Sequence, residues 1–131
     1  MVPEVDNIIP LSTTLHDFFK KWLEFSRPLH NLTEREQDVV AAFLRHRHVL
    51  MKKISDPKIV EQVLFSEQTK KEIMKEEDLS VAHFQVIMGK LRKAGIINNN
   101  TLNPRIIPLL KENSGGFKLL IYFDILENES E

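Results

Sequence analysis

The chain has 131 residues, 42% of them hydrophobic, and no cysteine. That is enough for one domain around one core and too little for two, and it excludes a disulfide framework, a thiolate nucleophile and a thiolate metal site. Eighteen basic against 19 acidic residues leave a formal net charge of −1, so the overall balance singles out neither nucleic acid nor membranes, and only local clustering is informative.

The segment MVPEVDNIIP carries two acidic residues and no basic stretch ahead of its apolar ones. It is therefore not expected to be a secretory signal, and no apolar run approaches the roughly 20 residues of a membrane span. A soluble protein of the reducing cytoplasm, without membrane contact, is expected. The Asn-x-Ser/Thr matches at Asn31, Asn99 and Asn128 are then chance.

Pro3 and Pro10 suggest an extended arm, followed by TTLHDFFKKWLEFSRP, in which Leu15, Phe18, Phe19, Trp22, Leu23 and Phe25 are spaced as an amphipathic helix closed by Pro28. So many rings must be covered, by the domain core or by a partner, because exposed patches of that size are rare on monomers. Phe18, Phe19, Trp22 and Phe25 are accordingly candidate partner-binding residues. LTEREQDVVAAFLRHRHVLMKK opens with Thr33 and Glu36 as a capping box and buries Val39, Val40, Phe43 and Leu44, with Val49 and Leu50 as further candidates. Its basic end (Arg45, His46, Arg47, His48, Lys52, Lys53) complements the negative end of the helix dipole, and Arg45, Arg47, Lys52 and Lys53 are a candidate extension of any basic patch. SDPKIVEQVLFS has Asp56 as N-cap and Pro57 at the first helical position, with Ile59, Val60, Val63 and Leu64 on one side.

SEQTKKEIMKEEDLSVAHFQVIMGKLRKAGII reads as a helix, a tight turn and a second helix. Ile73 and Met74 point inward from the first and Leu79 plugs the turn. Ser80 caps the second, whose apolar positions are Val81, Phe84, Ile87, Met88, Leu91 and Ala94, and Gly95 stops it in the left-handed position. This is the helix-turn-helix arrangement. Beyond Gly95 the period changes: Phe117, Leu119, Ile121, Phe123 and Ile125 alternate with other residues, which predicts a β-hairpin whose loop is Lys111 to Gly116. Pro104 and Pro108 make its first strand an edge strand or irregular. From Leu79 to Lys111 there is no acidic residue, while His83, Lys90, Arg92, Lys93, Arg105 and Lys111 all fall there.

In order, these elements resemble a winged helix-turn-helix domain over Leu32 to Ile125. LTEREQDVVAAFL is similar to the opening helix of bacterial transcription regulators and sigma-factor DNA-binding regions, and LSVAHFQVIMGKLRKAGII resembles the recognition helix of winged-helix regulators. The whole chain is also similar to small proteins of phages of Bacteroides-type bacteria, some of which sit among virion structural genes. The resemblance implies an α+β, mainly α fold: an arm and aromatic helix over 1–31, a winged helix-turn-helix over 32–125 and an acidic tail over 126–131. It also implies a non-enzymatic DNA-binding protein, of the kind phages encode as transcription regulators, with the second helix of the pair in the major groove. Gln85 then takes adenine, His83 or Lys90 reaches guanine or phosphate, and Arg92, Lys93, Arg105 and Lys111 lie on phosphates.

Ala82, Val86 and Gly89 form a smooth strip that suits a protein equally well. The alternative expectation is a virion assembly component (neck, ring or connector) that uses the same fold for protein docking, since one fold hosts many functions. Either way a protein partner or homo-oligomer is expected. His46 and His48 point away from each other on a helix and make no joint metal site. With no glycine-rich phosphate loop, no Gly-x-Ser-x-Gly and no compact His/Asp/Ser set, neither catalysis, a cofactor nor a small-molecule substrate is expected.

Overall fold

The computed structural model describes residues 9–110, 116–119 and 123–127. The chain is mainly helical, with one small two-stranded antiparallel sheet. Thr13–Pro108 forms one compact unit. In the other unit the described residues, 9–12, 109–110, 116–119 and 123–127, carry no helix or strand.

Helix α1, Leu15–Phe25, starts where Thr14 Oγ1 accepts the Asp17 backbone N–H at 3.2 Å. Its buried line is Phe19 and Leu23. Phe18 and Trp22 are half-buried, while Leu15 is 48% and Phe25 55% exposed. The predicted stripe was too wide because the rings step around the helix at about 100° per residue, and Phe25 ends well off the packed line. This helix, expected as an extension preceding residue 32, packs on the third helix inside the same unit. Pro28 ends α1 as expected but also opens a short helix α2, Arg27–His30, since proline is tolerated in a first turn.

Helix α3, Glu34–Lys53, has the expected Thr33/Glu36 capping box, both reciprocal bonds being present. Its middle is buried all round, Val39 to Leu44 without a break, as befits a central helix with neighbours on several sides. Helices α1, α4 (Pro57–Leu64, capped by Asp56), α5 (Glu67–Glu76, capped by Ser66) and α6 (Val81–Lys93, capped by Ser80) all contact it. The joint is aromatic: the Phe43 ring stacks on Phe65 at 5.0 Å and lies 6.5 Å from Phe84, so α3 is tied at once to the end of α4 and to α6. Val49 and Ile59, expected inside, are exposed, and Leu50 and Val63 are half-buried.

After α6 the chain makes strands β1, Ile97–Asn98, and β2, Thr101–Leu102, paired Ile97 with Leu102 and Asn98 with Thr101. Asn99 and Asn100 form the two-residue turn, both at positive φ (49° and 57°), the geometry of a type I′ hairpin, which asparagine tolerates. A 3₁₀ turn at Pro104–Ile106 follows, and Trp22 Nε1 donates to the Ile106 carbonyl at 2.7 Å, returning the chain to α1. The hairpin is thus earlier and shorter than expected. Most of the loop expected at Lys111 to Gly116 lies outside the described residues. Ahead of that loop, where an edge strand or an irregular stretch is expected, the chain is irregular and contains the 3₁₀ turn, Pro104 and Pro108 withholding two ladder donors. Leu119, Phe123 and Ile125, expected on one covered face, are exposed.

His48 sits against Phe19, ring centroids 5.9 Å apart. Burial first, and then the Lys52 charge, push its pKa below the ordinary 6.5. The unfolded chain therefore takes up the proton more readily than the folded one. This contribution to stability is complete above the ordinary value and is lost as the pH falls through it towards the lowered native value. Thermal melting of His48→Gln is expected to fall less steeply than that of the natural chain between about pH 7 and about pH 5. Parallel slopes would reject this assignment.

Candidate nucleic-acid interface

Helix α6 and the turn before it are fixed from several directions. Helix α5 ends in a Schellman arrangement: Leu79 N–H donates to Met74 O at 2.8 Å and Asp78, at φ 53°, bonds back to Lys75 O. Leu79 plugs the turn as expected. Two arginines of α3 hold the turn from below. Arg35 donates to the Glu77 carbonyl, and Arg45 Nη2 reaches Glu77 Oε2 at 3.2 Å. Ser80 Oγ accepts the His83 N–H at 3.1 Å and opens α6, which buries Phe84, Ile87, Met88 and Leu91. Val81 and Ala94, expected on that stripe, are exposed, Val81 as the first residue of the helix and Ala94 as its C-cap. The helix closes on a second Schellman pair, Gly95 N–H to Arg92 O and Ile96 N–H to Leu91 O, with Gly95 at φ 76°.

The remaining residues, Ala82, His83, Gln85, Val86, Gly89, Lys90, Arg92 and Lys93, are all exposed. At about 100° per residue they divide into three rows. Ala82, Val86, Gly89 and Lys93 form a crest pointing away from the core, His83 and Lys90 line one flank, and Gln85 and Arg92 line the other.

The ion pairs of the unit run mainly between α3 and its neighbouring helices. Ion pairs among the described residues engage Lys20 with Asp38, Arg35 with Asp38 and Glu77, Arg45 with Glu77, His46 with Glu72 and Glu76, Arg47 with Glu61, and Lys70 with Glu67. None of these pairs includes Lys90, Arg92, Lys93 or Arg105. Arg45 and Arg47, two of the four α3 residues that were candidates to extend the patch, are instead turned onto acids of α5 and α4, as is His46. Those partners lie 14 to 32 residues away, beyond any local spacing rule.

Of the expected site, the structure brings His83, Gln85, Lys90, Arg92 and Lys93 together on α6. Arg105 stands apart on the 3₁₀ turn, exposed, with its backbone N–H on Asn103 Oδ1 at 3.0 Å. Lys111 lies outside the described residues. Of the expected partner-binding rings, Phe19 is in the core, Phe18 and Trp22 are half-buried, and Phe25 is exposed, as is Leu29 at 88%. Leu29 was missed: it follows Pro28, where the helical pattern had been taken to end.

Among the described residues no group of three or more His, Asp and Glu side chains could hold a metal ion, and no helix is long and apolar enough to cross a membrane. Comparison with known proteins returns no match to a family model, a curated protein or a solved structure.

Proposed function

We propose that the chain is a non-enzymatic DNA-binding protein of winged-helix type, of the kind phages encode as transcription regulators, with α6 as the element that enters the major groove. The observation that carries this reading is the contrast in charge compensation. Arg35, Arg45, His46 and Arg47 of α3 are matched by acids, while Lys90, Arg92 and Lys93 crowd the last turn of an exposed helix and enter none of the ion pairs among the described residues. Unmatched cations on a rigid rod suit a polyanion, because each can displace a condensed counterion from a phosphate. The cap at Ser80, the buried Leu79 and the α3 arginines supply the rigidity a groove-reading helix needs.

The test is a salt titration with a duplex. If Lys90, Arg92, Lys93 and Arg105 each neutralise one phosphate, the logarithm of affinity falls with the logarithm of salt at a slope of about −3.6, or about 150-fold between 50 and 200 mM. A chain that leaves duplex DNA free at about 50 mM salt sinks the reading.

A second reading, an assembly component that docks on protein, is favoured by the exposed apolar residues Leu15, Phe25 and Leu29. A size measurement made with and without duplex in the same titration separates the two, since that reading requires self-association or capture of a protein partner and no shift on adding DNA.

A further inference from the structure

The one residue of α6 whose identity the fold leaves unexplained is Gly89. It lies in the interior of a 13-residue helix, where glycine is the poorest choice short of proline. Nothing in the domain requires it: a Cβ built there meets no atom within 4 Å, and its φ is not in the left-handed region. By contrast Gly95, at φ 76°, has a conformational reason of its own. The missing side chain at 89 therefore serves something outside the chain.

The position on the helix says what. Gly89 is on the crest, with Lys90 on one flank and Arg92 on the other, each roughly 60° to 100° around the axis from it. Two cations on opposite flanks reach one ligand together only if that ligand comes down onto the crest between them. The major groove is about 12 Å wide, and a helix with its side chains is about 10 to 12 Å across, so a helix enters fully only where its leading edge is shallow.

Building on the DNA reading above, we infer that Gly89 is the point of closest approach between α6 and duplex DNA, and that its lack of a side chain lets the helix sink until Lys90 and Arg92 each meet the phosphates of a different strand. Side-chain size at residue 89 then sets affinity without touching charge. Leucine and alanine are both better helix formers than glycine, and neither meets an atom of the domain on its first carbon, so the folded unit tolerates both.

The experiment is fluorescence anisotropy of a labelled duplex with the natural chain, Gly89→Ala and Gly89→Leu, with thermal melting of each. Gly89→Ala is expected to melt about 4 °C or more above the natural chain, and Gly89→Leu no lower than it. Affinity is expected to fall two- to threefold for alanine and on the order of tenfold for leucine, as a helix held out of the groove loses its closest phosphate contacts while the remaining slope persists. Should the natural chain bind duplex and both variants bind it equally well, the seating is wrong and the DNA reading stands. Should the natural chain not bind at low salt, both fall together. If Gly89→Leu melts below the natural chain, Gly89→Ala alone decides the question.

Discussion

Phe43→Ala is expected to destabilise the folded chain by about 3 to 5 kcal/mol, a large part of the 5 to 15 kcal/mol that holds a typical domain together. Phe43 is fully buried and its ring lies between Phe65, 5.0 Å away, and Phe84, 6.5 Å away. Truncation removes the transfer energy of a benzyl group and opens a cavity at the joint of α3, α4 and α6. The end of α4 and the first turn of α6, which carry the two neighbouring rings, limit how far the walls can collapse, so the larger part of that range is expected. The melting point should drop by more than about 12 °C. Phe43→Leu keeps most of the volume and should lose about 1.5 kcal/mol or less. Phe25→Ala, at a 55% exposed site, should stay within about 0.5 kcal/mol. Urea unfolding of the three variants checks the order; a Phe43→Ala midpoint equal to that of Phe25→Ala would show that the aromatic stack is not the joint.

What the sequence made legible follows from the range of the interactions involved. Thr33 with Glu36, Asp56 with Pro57, Ser80, and Gly95 each specify a helix end through bonds to groups no more than four residues away, and each end was found where expected. The inward face of α6 was likewise readable at Phe84, Ile87, Met88 and Leu91, because a helix of thirteen residues samples its own period several times.

Legibility failed where distant residues decide. Nothing near Arg45 or Arg47 in the sequence announces Glu77 or Glu61, so both read as candidates for the patch. Trp22 reads from sequence as either a core ring or a partner-facing one, because its acceptor, the Ile106 carbonyl, lies 84 residues on. The hairpin was misplaced for a different reason. The alternation after Phe117 is a stronger period-two signal than the short pair around Asn99 and Asn100, and the Asn-Asn turn was read only as a break although both residues tolerate positive φ. The outward residues of α6 were correctly expected to be exposed. Their division into a crest and two flanks was also available from spacing alone, but only the helix boundaries made it firm.

Reversing three charges, Lys90→Glu with Arg92→Glu and Lys93→Glu, is expected to lower duplex affinity on the order of 10³-fold at 50 mM salt and to reduce the salt slope from about −3.6 to about −0.9, the share left to Arg105. The fold is expected to survive, since all three side chains are exposed and enter none of the ion pairs among the described residues. It should not survive unchanged. The three cations stand in the last turn of α6, where positive charge is favourable against the carbonyl ends, and carboxylates there cost about 0.3 to 1 kcal/mol each at low salt. The glutamine triple variant separates the two effects. It removes the charge without placing acid on the helix end, so its melting point should lie nearer the natural chain while its salt slope is as shallow as that of the reversal. If the glutamine variant keeps the natural slope, the cations of α6 are not on phosphates, and the basic turn answers only to its own helix dipole.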